Sequence, residues 1–139
     1  MKINFRDATE KDIAFITSTW LNACWNSKKY KDMKKSVFME GHHKAIQKRI
    51  NSFSCVVASD PSDPYVIYGY IIYNRPHTLH FAYVKGNFRE FGVCKQLVKE
   101  AFGKDLRAIQ ITHQTEYSSE IGKKWELEYN PYKFYEAGA

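Results

Sequence analysis

The segment spanning residues 79–102 constrains this chain most. An apolar run, Phe81-Ala82-Tyr83-Val84, enters a short turn at Lys85-Gly86-Asn87 and opens into a stretch with Val93, Leu97, Val98 and Phe102 on one helical side. A strand that passes through a tight turn into a helix is a physical anion site. The amides of a first helical turn have no intrahelical acceptors, their dipoles add, and Gly92 lets a phosphate reach the backbone with no Cβ in the way. Arg89 adds a fixed positive charge beside it. Neither common nucleotide fingerprint fits, because there is no GxGxxG and no P-loop pattern.

The rest of the chain supplies the frame for that segment. Residues 3–8 alternate apolar and polar as a half-buried strand does, and Thr9, Glu10 and Asp12 then read as a helix start. Ile13, Ile16, Trp20, Leu21 and Cys24 form one helical stripe. The run Lys28, Lys29, Lys31, Lys34 and Lys35 reads as a solvated loop, and a second helix is expected over residues 38–50. Residues 54–58 and 65–73 read as an antiparallel hairpin around a turn rich in Ser, Asp and Pro, followed by a strand at 78–84. A helix over 92–102, a strand at 108–114, a helix at 116–124 and a strand at 125–129 complete the series, with 132–135 pairing back or fraying. The order β-α-α-β-β-β-α-β-α-β makes this an α+β fold with a mixed sheet, and 139 residues make it a single domain, residues 1–139.

Three cysteines with no CxxC spacing suit reduced thiols, so a cytoplasmic protein is expected. No apolar run approaches the roughly 20 residues a membrane span needs, and no membrane partner is expected. No metal site is expected either: adjacent His42 and His43 on a helix point about 100° apart, and no Cys, Asp or Glu spacing completes a set. The formal charge of +6 favours a polyanionic ligand, such as a phosphorylated cofactor or a nucleic acid.

With Val84 ending the strand, Phe88 before Arg89, and Gly92, Cys94 and Leu97 following in order, the segment resembles the acetyl-CoA motif of the GNAT (Gcn5-related N-acetyltransferase) superfamily. Cys94 stands where that motif has a small Gly or Ala, Glu90 where Gly is common, and Gly86 where Pro is frequent. The resemblance implies a mostly antiparallel twisted sheet with helices on both faces, and acetyl-CoA as cosubstrate. It also implies that the backbone of Arg89, Glu90, Phe91, Gly92, Val93, Cys94 and Lys95 cradles the pyrophosphate. The main chain at Val84 would hold the pantetheine arm where the strands of Val84 and Ile109 splay. The implied reaction is N-acetyl transfer to a primary amine by direct attack on the thioester.

That reaction needs an acid and a base. By the two-residue period, Thr78, His80, Ala82 and Val84 share one face, which makes His80 the first candidate base and His113 the second. The family's acid is a Tyr followed by x-x-x-Gly-Phe; Glu120 occupies the matching position here, and Tyr117, one turn earlier, is the candidate, with Tyr129 and Tyr132 behind it. A basic, aromatic acceptor side suits an amine carried on an acidic macromolecule. The alternatives are a GNAT-shaped CoA-binding module without turnover and a small basic nucleic-acid-binding protein.

Overall fold

The computed structural model describes residues 1–104, 106, 108–115, 125 and 127–137. One six-stranded sheet runs in the order β1 (Asn4–Asp7), β2 (Ser54–Asp60), β3 (Asp63–Asn74), β4 (Thr78–Val84), β5 (Gln110–Ile111), β6 (Glu128–Tyr129). The β1 to β4 neighbours pair antiparallel, whereas β4, β5 and β6 pair parallel. Helices α1 (Ile13–Asn26) and α2 (Lys35–Arg49) follow β1, α3 (Val93–Phe102) follows β4, and a short α4 (Tyr132–Glu136) follows β6. No described helix is long and apolar enough to cross a membrane.

Both faces of the sheet are covered, which is why the middle of β3 is a continuous apolar run rather than an alternation. Tyr70 and Ile72 face α1 and α2 in a core with Trp20, Phe38, Ile46, Phe81 and Phe134. Ile71, on the opposite face, joins Ala82, Val84, Val93, Leu97 and Val98 under α3. The β2–β3 turn is tighter than the composition suggests: Asp60 pairs with Asp63, and the Asp60 carboxylate accepts the Ser62 amide and hydroxyl. Gly69, opposite Val84, is obligatory for close strand approach, because a Cβ there would collide with the Tyr83 carbonyl.

At the head of α1, the Asp12 carboxylate accepts the Thr9 amide at 2.7 Å and both terminal nitrogens of Arg6, at 2.8 and 3.0 Å. This ties β1 to the helix it leads into. The Lys-rich stretch is a turn between α1 and α2, as its composition predicts. Differences from the sequence reading lie mainly toward the C-terminus. The strand expected over 108–114 shrinks to Gln110–Ile111, since Ala108 takes a positive φ of 60° that ends extended backbone on its near side. The last strand is Glu128–Tyr129 only. Residues 132–135 neither pair back nor fray: Asn130 Oδ1 accepts the Tyr132 amide, Pro131 sets the entry, and the helix drives Phe134 into the core at 2% exposure. The helix expected at 116–124 lies outside the described residues.

Candidate active site

β4 and β5 share only two register pairs, Thr78 with Gln110 and Leu79 with Ile111, closed by the Thr112 amide bonding to the Leu79 carbonyl at 3.1 Å. β5 then ends, while β4 runs on to Val84. A narrow cleft lined by His80, Phe81, Ala82, Ile111, His113 and Thr115 lies where the two strands part. Past β4 the chain makes a single 3-10 stretch, Gly86–Phe91, which the sequence pattern does not announce. Arg89 sits in it and donates from Nε to the Val84 carbonyl at 3.1 Å, and the Phe88 ring packs on Tyr68 with centroids 4.3 Å apart.

Gly92 joins that stretch to α3 with φ 72° and ψ 18°, a left-handed conformation that side chains other than glycine adopt at a cost. An added Cβ would meet nothing within 4 Å, so the glycine is there for its backbone angle, and the space in front of it is open. The first helical bond of α3 runs from the Gln96 amide to the Gly92 carbonyl. The amides of Val93, Cys94 and Lys95 precede it at the head of the helix. Val93 is buried beneath α3, Cys94 is half-buried, and Phe91, Gly92 and Lys95 are exposed. Glu90 lies in the 3-10 stretch. The sequence-expected cofactor residues are therefore contiguous in space around the head of α3. The strand-turn-helix that suggested an anion site is present.

His80 is placed differently from the two-residue period. Ile72 pairs with Phe81 and Tyr73 with Leu79, so β4 bulges at His80 and the alternation slips by one residue. Leu79, not His80, shares the core of Ala82 and Val84. His80 instead turns to the α1 and α2 side, with its ring 4.4 Å from Phe53 and 6.0 Å from Phe134. It is 1% exposed, and burial lowers its pKa to about 3.

A directed chain of hydrogen bonds passes through it. Asn74 Nδ2 donates to the Ser52 carbonyl at 2.7 Å, so Asn74 Oδ1 is the end that faces His80 Nε2, at 2.6 Å, and it must accept. His80 is then the Nε2–H tautomer, and its Nδ1 accepts the Thr112 hydroxyl at 3.0 Å. Thr112 Oγ1 in turn accepts from His113 Nδ1 at 2.9 Å. That leaves His113 Nε2 with its lone pair, 3.1 Å from His42 Nε2. Burial lowers the His42 pKa to about 4, and holds that of His113 well below the usual imidazole range, with the neighbouring His42 and His80 adding to the effect. All three rings are neutral at pH 7.

His80 and His113 are the sequence-expected members of this chain; Asn74 and Thr112 are not, because neither stands in a motif. The sequence sets His42 beside His43, whereas the fold sets His42 against His113, 71 residues away. Cys24 joins them, the three ligand atoms lying within 4.8 Å of one another. Tyr117 lies outside the described residues. Tyr129 and Tyr132 are exposed near the end of the chain.

No family model matches the sequence, and no curated protein matches it. Among solved structures, the chain is similar to a GCN5-related N-acetyltransferase from Rhodopseudomonas palustris, also described as an aminotransferase of class II. The TM-score is 0.61 at 11% identity, over 89% of this chain and 81% of that one. It is similar to a histone acetyltransferase HPA2 and related acetyltransferase from Corynebacterium glutamicum (TM-score 0.61, 15% identity, 89% and 83% covered). It is also similar to the apo form of YjaB from Escherichia coli (TM-score 0.60, 15% identity, 89% and 81% covered). The fold is that of the GCN5-related N-acetyltransferases.

Proposed function

We propose that this chain is an acetyl-CoA-dependent N-acyltransferase that passes its acyl group to a primary amine. The observation that carries this reading is the position of the Gly92 hinge. It sets the Val93, Cys94 and Lys95 amides at the head of a ten-residue helix, one 3-10 stretch beyond the strand that borders the β4–β5 cleft. Such a helix head suits a pyrophosphate, and the parting of β4 from β5 leaves β4 main chain for the thioester arm to pair with. Arg89 to Lys95 hold the phosphates in this reading, and the main chain at Val84 holds the pantetheine; its carbonyl has a second lone pair beyond the one Arg89 uses.

In the reaction, a neutral amine attacks the thioester carbonyl, a C–N bond forms and the C–S bond breaks. The thiolate takes a proton from the acid, which is then restored by the proton the amine gives up. Tyr117 is the acid on the resemblance alone. His80, with both ring nitrogens bonded and a depressed pKa, is a positioning residue in this account; it orients Thr112 and, through it, His113, which also lines the cleft. The formal charge of +6 favours an acceptor amine on an acidic macromolecule, and three cysteines without CxxC spacing suit a protein working in the cytoplasm.

The bonded state of His80 also supports a second reading, a CoA-binding module without turnover. Thiol release from acetyl-CoA across a panel of amines, run beside a binding titration with CoA, separates the two. Release that depends on an amine is the expected result. Binding without release selects the second reading, and absence of binding at millimolar CoA overturns both.

A further inference from the structure

We infer that Cys24 Sγ, His42 Nε2 and His113 Nε2 form a binding site for a single zinc ion, with its fourth position left to a water molecule. The three come from α1, α2 and the segment after β5, and their ligand atoms lie within 4.8 Å of one another. Tetrahedral zinc with ordinary bond lengths needs about 3.3 Å between two imidazole nitrogens and about 3.6 Å from nitrogen to thiolate sulfur. The histidine pair already stands at 3.1 Å, so the sulfur alone has to close in, which a rotation about its own side-chain bond can supply.

Two further observations point to a cation at this place. The chain from the Ser52 carbonyl through Asn74, His80 and Thr112 fixes His113 as the Nδ1–H tautomer and aims the Nε2 lone pair at the centre of the cluster. That is the orientation a ligating histidine takes from the hydrogen bond behind it. The second is Trp20, whose side chain is completely buried and whose indole N–H has no hydrogen-bond partner among the described residues. Burial pushes the Cys24 thiol up to about 12, against the opposing effect of the neighbouring Trp20 N–H, to which a metal-bound sulfur would offer an acceptor. Trp20, Phe38 and Phe134 wall the cluster with aromatic rings.

Binding is balanced in protons. The Cys24 thiol gives its proton to solvent as the S–Zn bond forms, and His42 releases the Nε2 proton it shares with His113 in the metal-free protein and takes one up on Nδ1, so both imidazoles bind neutral. Spacing along the chain does not display this set, because its members are distant in sequence.

The test is cobalt titration of the chelator-treated full chain, read by absorption. One equivalent should produce a near-ultraviolet thiolate-to-cobalt charge-transfer band with the intense visible bands of tetrahedral Co(II), both removed by zinc. Cys24→Ser should abolish the charge-transfer band, and Thr112→Val should weaken cobalt affinity by about 10–100-fold. His42→Asn, at a half-buried position, should weaken it more, and His43→Asn, Cys55→Ser and Cys94→Ser should leave it unchanged. A wild-type chain with no thiolate band overturns the site, whichever variants fold, and so does a band that survives Cys24→Ser. None of these readings depends on CoA.

Discussion

The side-chain carbonyl of Asn74 accepts the Nε2–H of His80 at 2.6 Å, and this contact decides what His80 can do. It spends the ring's only proton on a fixed acceptor and leaves Nδ1 to take the Thr112 hydroxyl. Asn74→Ala would orphan a buried N–H, with a stability loss of about 1–3 kcal/mol expected in a urea titration. In the metal-free protein, nitrogen NMR of the imidazoles should show His80 as Nε2–H and His113 as Nδ1–H. A His80 that titrates near the free-imidazole value would contradict the chain.

Gly69 lies where β3 meets β4 most closely. Gly69→Ala has no room, since the new Cβ meets a backbone carbonyl that cannot rotate away. The expected loss is about 1–3 kcal/mol, the usual range for overpacking, measured as a fall in the denaturation midpoint. An unchanged midpoint would mean that the strands are farther apart than described.

Gly92 differs from Gly69 because its surroundings are open and only its φ is demanding. Gly92→Ala should cost about 1–2 kcal/mol through left-handed strain and weaken CoA binding at the same time. Gly41, within α2 and with open space around its Cβ position, is the control: Gly41→Ala should leave CoA affinity alone and stabilise slightly.

The Arg6 hydrogen bonds hold the Asp12 carboxyl below its usual pKa, against the opposing effect of burial. A carboxylate with a lowered folded-state pKa contributes stability that is complete above its unfolded value of 3.8 and is lost as pH falls toward the folded one. Asp12→Asn should therefore be clearly less stable than the parent at about pH 7, with the gap narrowing below about pH 4. A gap that stays constant with pH would assign the loss to the cap on α1 instead of to charge.

Much of the frame was legible because it rests on local pattern. Thr78–Val84 reads as a strand from its own composition, and α1 from its stripe of Ile16, Trp20 and Cys24. The site was legible only in part. The β4 bulge changes which way His80 points without changing the residues around it, so a strict two-residue period puts it on the wrong face. The Cys24, His42 and His113 cluster is assembled by packing across three elements, and spacing along the chain carries no trace of it. The five-residue α4 is too short to show a period, yet it delivers Phe134, the ring against which His42, His80 and His113 all pack.

CoA binding at the head of α3 can be read residue by residue from backbone amide NMR of the isotope-labelled chain. Titration with CoA should give saturable shifts, largest at Val93, Cys94 and Lys95 and extending along β4 through Val84, and Arg89→Glu should lose them. Absence of shifts at millimolar CoA, or shifts confined to the Lys28 to Lys35 turn, would contradict binding there.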